Sequence, residues 1–150
     1  HPGEEVAAMS GGRFVTLQQV TRVLPEVERI LLQLREIRDH GLAARERLEL
    51  LWAALERGDP VLDEIGTLQR EVDAGTEEFG NLVLRLEELG GVLKDLDMGL
   101  VDFPTVAGGS EVYLCWRLGE DGIHYWHGLD EGYAGRKPLW TLPGNRPYLA

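Results

Sequence analysis

The sequence predicts an α+β protein: a long antiparallel helical hairpin of coiled-coil-like character with an N-terminal helical arm, followed by a small antiparallel β-meander. Before Gly91 the chain is rich in Leu, Glu and Arg, and its apolar residues recur at alternating three and four spacings. After Gly91 short alternating segments are separated by glycine-containing turns. All four tyrosines and three of the four tryptophans lie beyond residue 110. We therefore divide the chain into a disordered or foreign extension at 1–13, the helical region at 14–90 and the β module with its extended tail at 91–150.

Length and charge limit the classes of partner. A chain of 150 residues has the size of one ordinary domain, and its single cysteine cannot form an intrachain disulfide. The formal net charge of -11 leaves no basic surface, so nucleic acid is not an expected partner. No uninterrupted apolar run approaches twenty residues and no charged leader precedes an apolar run, so we expect no membrane contact and a cytoplasmic protein.

The first helix has a clear start signal. Thr16 precedes a helical pattern and Gln19 stands three residues later, which is the arrangement of a capping box, so the helix is predicted to begin at Leu17. Pro25 lacks an amide hydrogen and its ring clashes with the preceding turn. The sequence therefore predicts a kink there, or a short helical arm followed by a long helix that ends near Glu56.

The second helix is predicted from Pro60 to Leu89, because Gly58-Asp59-Pro60 supplies a stop, a cap and a first-turn proline, and Gly90-Gly91 closes it. Folding the two helices about Gly58 aligns their apolar seams. The predicted pairs are Leu55 with Leu62, Trp52 with Ile65, Leu48 with Leu68, Leu34 with Leu82, Leu31 with Leu86, and Val27 with Leu89.

The same alignment predicts a weak middle of the hairpin, with Gly41 opposite Gly75 and Arg45 near Glu71. Two interpretations remain open: close glycine-to-glycine approach with arginines paired to glutamates, or a hinge or anion-binding notch. A second apolar stripe, formed by Ile30, Ile37, Ala44 and Leu51, needs further cover. Either the segment 17–24 folds back over it or a second subunit packs there. We favour a homodimer through the helices.

The β module is predicted as a four-stranded meander. In its best-defined hairpin, residues 119–122 form the turn, so that Trp116 pairs with Tyr125 and Leu114 with His127. Because side chains alternate along a strand, this register places Cys115 and His127 on opposite faces of the sheet.

Three strings of the sequence, FVTLQQVTRVLPEVERIL, VLKDLDMGLVDFP and EVYLCWRLGEDGIHYWHGLDEGYAGRKPL, resemble the bacterial family called domain of unknown function 2203. The resemblance runs from Phe14 to Leu139. It implies no activity, but the motif singles out a set of positions: Asp95, Gly99, Asp102, Cys115, Trp116, His127, Gly132, Gly135, Arg136 and Pro138.

The candidate site residues concentrate in the β module. A ligand or partner would be received by the aromatic and histidine face, for which the candidates are Asp102, Trp116, Tyr125, His127 and Arg136. A metal site would use Cys115 or His124 with His127 and a carboxylate from Asp102, Asp130 or Glu131, since thiolate, imidazole and carboxylate suit zinc or another divalent transition metal.

These residues support two classes of function. The first is an interaction or small-ligand-binding module, with a protein or small molecule as partner and helices that assemble subunits. The alternative is a small metal-dependent or His-based enzyme whose site lies on the β module. The sequence leaves open whether any reaction is catalysed and which cofactor, if any, is bound.

Overall fold

A computed structural model describes residues 14–144, and the fold class is confirmed: two long helices precede an antiparallel sheet. The predictions for the extension at 1–13 and for the end of the tail lie outside the described residues. The helices and strands, in chain order, are α1 (Leu17–Glu56), α2 (Leu62–Glu88), β1 (Val92–Asp95), β2 (Leu100–Ala107), β3 (Ser110–Arg117), β4 (Tyr125–His127) and β5 (Lys137–Pro138). Two single 3₁₀ turns, Tyr133–Gly135 and Leu139–Thr141, flank β5.

The chain divides into two compact units. One contains the described residues up to Leu31 and those from Arg85 onwards, and therefore includes the sheet, the N-terminal part of α1 and the C-terminal end of α2. The other is Leu32–Leu84, the outer part of the hairpin. Within residues 14–144, no helix combines the length and the apolar character needed to cross a membrane.

The start of α1 follows the predicted capping box. The amide of Gln19 donates to the Thr16 hydroxyl at 3.1 Å, and the Gln19 side chain accepts from the Thr16 amide at 2.9 Å. Of the two alternatives at Pro25, the separate short arm is wrong, because α1 is one helix through this residue and the arm is its first part. An interior proline costs about 3 kcal/mol. Burial of Leu24 and Val27 on either side of it offsets that cost.

The tip of the hairpin is held by a small core in the Leu32–Leu84 unit. Gly58 has φ of 91°, which lets the chain reverse after α1. Leu48, Leu51 and Ile65 are buried together there. The predicted pairing of Trp52 with Ile65 is wrong: Trp52 is 50% exposed, and Leu51 takes the seam position.

Two glycines let the end of α2 meet the rest of its unit. Gly90 has φ of 95°, and a Cβ at this position would lie 2.5 Å from a methyl of Val15. A Cβ on Gly91 would lie 2.9 Å from Leu86 and 3.0 Å from Val101 of β2. The predicted helix stop therefore also permits close packing between helix and sheet.

The sheet has five strands in the order β1-β2-β3-β4-β5, each antiparallel to its neighbour. The prediction of four strands missed β5, which is only two residues long. The tight turn between β2 and β3 contains Gly108 and Gly109, both with positive φ, as the glycine pair predicts.

Candidate functional site

The pairing of β2, β3 and β4 brings three metal-binding side-chain types to one face of the sheet. Asp102 pairs with Cys115, Cys115 pairs with Tyr125, and His127 pairs with Tyr113, two residues from Cys115. Directly opposed residues in an antiparallel sheet share a face, and positions two apart share it as well. Asp102, Cys115 and His127 therefore lie together.

This register corrects the prediction that Cys115 and His127 face opposite sides. The predicted register paired Leu114 with His127, whereas Leu114 pairs with Trp126. The reason is the connection after β3, which is a loop over 118–124 and not a four-residue turn. The Glu120 carboxylate accepts from the Arg117 amide at 2.6 Å and fixes this loop. A one-residue shift exchanges the two faces of a strand.

The three side chains form a compact buried cluster. Asp102 Oδ1 lies 3.0 Å from His127 Nε2, and their side chains are 3% and 2% exposed. One donor atom from each of Asp102, Cys115 and His127 can be chosen so that all three lie within 4.8 Å of one another. Cys115 is fully buried. Among the described residues, this is the group of His, Cys, Asp and Glu side chains arranged closely enough to hold a metal ion.

The contact between Asp102 and His127 is not a hydrogen bond. Despite their separation of 3.0 Å, neither Asp102 Oδ1 nor His127 Nε2 has a hydrogen-bond partner, because the atoms are not aligned for one. A buried polar atom without a partner costs about 1–3 kcal/mol. A charged species would remove that cost: either a proton on Nε2, which would make the contact an ion pair, or a metal ion bound by both atoms.

The other ring nitrogen of His127 indicates what that species would meet. Nδ1 lies 2.8 Å from the carbonyl oxygen of Gly128, which can only accept, so Nδ1 carries hydrogen and donates. In the neutral ring, Nε2 then presents a lone pair towards Asp102. Metal-binding histidines usually hold the second nitrogen in this way, because the hydrogen bond fixes the tautomer and the ring orientation.

Cys115 is chemically quiet in the absence of a metal. Burial raises the pKa of its thiol from 9.0 to about 12, with a further rise from the charge of Asp102, while Arg136 acts in the opposite direction. The thiol is therefore neutral near pH 7 and a poor nucleophile. A bound metal ion would displace its proton, since thiolate is the form that coordinates metals.

Arg136 anchors the segment after β4 beside this cluster. Its guanidinium donates to Glu120 at 2.6 Å and to the Cys115 carbonyl at 3.3 Å, and it stacks on the rings of Tyr125 at 4.0 Å and Tyr133 at 4.8 Å. Burial by itself would lower the pKa of Arg136, but the hydrogen bond to Glu120 and nearby negative charges raise it overall. The acid that Arg136 binds is therefore Glu120.

Several predicted site residues lie elsewhere. Trp116 pairs with Val101 on the other face, is 2% exposed and donates from its indole to the Glu120 carbonyl at 3.1 Å. The predicted grouping of Trp116 and His127 on one face is therefore wrong. Tyr125, which that grouping also included, shares the face of His127.

The remaining metal candidates do not join the cluster. His124 is exposed and pairs with Asp121 at 2.5 Å. Glu131 accepts from Lys137 and, at 2.8 Å, from the amide of Gly128. Asp130 is exposed.

Sequence reasoning missed two aromatic neighbours of the site. The Tyr113 ring lies 5.4 Å from the His127 ring, and the Lys94 ammonium lies 5.0 Å from the Tyr113 ring. The signal was present in the alternation of β3, in which Tyr113 precedes Cys115 by two residues and so shares its face. Tyr133 was missed because it lies in a 3₁₀ turn, where no periodicity fixes the side-chain direction.

The donor set of Asp102, Cys115 and His127 is one that zinc prefers. In a tetrahedral site with bonds of about 2.0–2.3 Å, donor atoms lie about 3.4–3.6 Å apart. The observed separations, 3.0 Å for the Asp102–His127 pair and at most 4.8 Å within the cluster, require only small side-chain movements to reach that geometry.

Comparison with known proteins agrees with the resemblance in the sequence. No curated protein and no solved structure matches the chain. Residues 13–139 match the family described as "Uncharacterized conserved protein (DUF2203)". The match covers most of the chain, including both helices and all five strands. The chain therefore belongs to the domain of unknown function 2203 family.

Proposed function

We propose that this protein binds a divalent transition metal ion, with zinc as the best match, through Asp102, Cys115 and His127. The observation that carries the proposal is the pair of buried atoms, Asp102 Oδ1 and His127 Nε2, that lie 3.0 Å apart without a hydrogen bond. A cation between them would satisfy both. The adjacent thiol supplies a soft third ligand, which favours zinc over magnesium or calcium.

The charge of the ligands fits a divalent ion. Carboxylate and thiolate together contribute two negative charges, and an imidazole that binds metal through Nε2 is neutral while its Nδ1 donates to the Gly128 carbonyl. The charge of a Zn²⁺ ion would therefore be neutralised inside an apolar region, where an unbalanced charge is costly. Three protein donors leave one position of a tetrahedral ion for water or another small ligand.

The same geometry argues against the alternatives in which His127 or Cys115 performs catalysis without metal. One ring nitrogen of His127 meets a carbonyl and the other faces Asp102, so neither is directed at a substrate. Cys115 is buried, and the raised pKa of about 12 keeps its thiol protonated. A general base or nucleophile needs access to the reacting atom.

We also place the protein in the cytoplasm as part of this proposal. A metal site that uses a thiolate is compatible with a reducing compartment, in which a lone cysteine stays reduced. The only cysteine of the chain is Cys115.

The test is the metal content per chain of tag-free protein purified without chelators, measured by elemental analysis. The parent protein is expected to retain close to one zinc ion per chain, and Cys115→Ser and His127→Gln are expected to lose it. His124→Gln is the matched control, since this exposed histidine of the same module lies outside the cluster. Its metal content should equal that of the parent.

A second measurement protects the result against misfolding of the variants. Titration of the metal-free parent with Co²⁺ should produce thiolate-to-metal charge-transfer absorption, and Cys115→Ser should lack it while keeping a parental circular dichroism spectrum. A parent that binds neither Zn²⁺ nor Co²⁺, or a folded Cys115→Ser variant with the same Co²⁺ spectrum, would overturn the proposal.

A further inference from the structure

The middle of the hairpin contains an open groove, which lies within the Leu32–Leu84 unit. Its floor includes Ile37, Gly41 and Gly75. The predicted close approach of Gly41 to Gly75 is wrong: a Cβ on Gly41 would meet no atom within 4 Å, and one on Gly75 would lie 3.6 Å from a methyl of Ile37. The space left by these glycines is therefore unused within the chain.

The helices bury no core along this stretch. No described residue between Leu34 and Leu48 of α1, and none between Ile65 and Leu86 of α2, is buried. Buried positions resume at the tip, where Leu48 and Ile65 pack together. A glycine inside a helix costs about 1 kcal/mol relative to alanine, and here no close contact within the chain offsets that cost.

The two walls of the groove carry opposite charge. On α1, Arg38 is paired with Asp39 at 3.1 Å and Glu36 lies 4.0 Å from His40, so Arg45 is the charge that this wall offers to a partner. The α2 wall is acidic, since Glu71 and Glu78 line it. Because a two-fold axis brings the same surface of each subunit together, the basic wall of each copy can face the acidic wall of the other.

The structure also removes one of the two ways to cover this surface. Had residues 17–24 formed a separate arm, they could have folded back along the hairpin. They are instead the first part of the continuous helix α1 and cannot return to its middle. Of the stripe that the sequence predicts to need cover, Ile30 and Leu51 are already buried within the chain, each 3% exposed. Only Ile37 and Ala44 of that stripe line the groove, and for this part a second subunit is the predicted cover that remains.

We infer that the groove is the self-association site of this protein, where two copies pack groove to groove about a two-fold axis to form four helices with complementary charged walls. Gly41 and Gly75 allow the helices of the two copies to approach closely. The salt bridges across the interface join Arg45 of each copy to Glu71 of the other. The interaction is independent of the metal site on the β module.

The test uses charge reversal on each wall, with the oligomeric state of the full chain measured by sedimentation equilibrium. The parent is expected to be a dimer. Arg45→Glu and Glu71→Arg each place like charges together twice per dimer, and each should raise the dissociation constant about 100-fold, at about tenfold for each repulsive contact. Arg47→Glu is the control, because Arg47 pairs with Glu64 at 3.0 Å and does not line the groove; it should remain a dimer.

Mixing the two weakened variants separates contacts between copies from contacts within one chain. An equimolar mixture of Arg45→Glu and Glu71→Arg should restore dimers, since opposite charges then meet at both contacts between the chains. A pair within one chain would not be restored by mixing. The inference would be overturned by a monomeric parent, by variants that dimerise as the parent does, or by a mixture that stays monomeric. Loss of dimerisation in a variant that lacks residues 1–13 would also overturn it. Metal content is expected to be unchanged in all these proteins.

Discussion

Replacing Asp102 with asparagine is predicted to have opposite effects on stability with and without metal. With a neutral His127 whose hydrogen is on Nδ1, Asp102 Oδ1 and His127 Nε2 of the metal-free parent are two acceptors in contact at 3.0 Å, and neither has a hydrogen-bond partner. The side-chain amide of asparagine has nearly the same shape and can donate to the Nε2 lone pair. Giving a hydrogen-bond partner to a buried polar atom that lacks one raises the free energy of unfolding by about 1–3 kcal/mol. The metal-free variant should therefore melt about 2–12 °C above the metal-free parent, at about 2–4 °C per kcal/mol.

With zinc the order should reverse. A ligand at a thousand times its dissociation constant stabilises the folded state by about 4 kcal/mol. The parent gains this amount from the ion, whereas Asp102→Asn lacks the carboxylate donor and gains much less. The parent should then be the more stable protein, and the sign of the difference in Tm should change on addition of the metal.

The assay is differential scanning calorimetry of both proteins, first after treatment with a chelator and then with excess zinc. Asp121→Asn is the control, because Asp121 also contacts a histidine, His124 at 2.5 Å, but in an exposed position. Its effect should stay within about 0.5 kcal/mol in both conditions. If metal-free Asp102→Asn is instead less stable by about 3–5 kcal/mol, Asp102 is the counter-ion of a protonated His127 and the reasoning fails.

Three further results are expected. Gly90→Ala should lower the stability measured by thermal denaturation more than Gly58→Ala does. Both glycines have positive φ, which costs alanine about 1–2 kcal/mol, but only a Cβ at Gly90 would meet a buried valine, at 2.5 Å, which adds about 1–3 kcal/mol. Equal losses of stability would contradict this packing. Cys115 of metal-free protein should react with iodoacetamide far more slowly when folded than in denaturant, because it is buried and its pKa is about 12; equal rates would refute its burial. The ion pair between Glu26 and Arg85 should stabilise the fold only while Glu26 is ionised, because the hydrogen bond from Arg85 lowers the pKa of Glu26 below 4.5. The parent should therefore exceed Glu26→Gln in Tm at neutral pH and lose that advantage as the pH falls through the lowered pKa. A difference in Tm that does not depend on pH would exclude the ion pair as its source.

The helical elements were largely predictable because their signals are local. The capping box at Thr16 and Gln19 and the stops at Gly58 and Gly90 depend on residues within one turn of each other, and all occur as predicted. Pro25 is the exception. Its cost is local, but the burial of its neighbours that offsets the cost is a tertiary effect.

The candidate site was predicted in composition but not in arrangement. The sequence identified Cys115 and His127 as possible metal ligands and Asp102 as an alternative carboxylate, because these residue types suit zinc. It placed the first two on opposite faces, because a four-residue turn was assumed between β3 and β4. The observed connection is a longer loop, in which the Glu120 carboxylate accepts from the amide of Arg117, and the register differs by one residue from the predicted one.

The sequence by itself determined the fold class, the start of α1, the glycine stops after both helices, the antiparallel meander and the chemical types available at the site; α2 begins at Leu62, two residues after the predicted Pro60. These follow from periodicity, from capping and from glycine conformation, which act over a few residues. Only the tertiary structure decided which donor atoms meet, that His127 Nε2 and Asp102 Oδ1 lie together without a hydrogen bond, and that the middle of the hairpin is open. The physical reason is that strand register and helix packing depend on contacts between distant residues, where a shift of one residue moves a side chain to the other face.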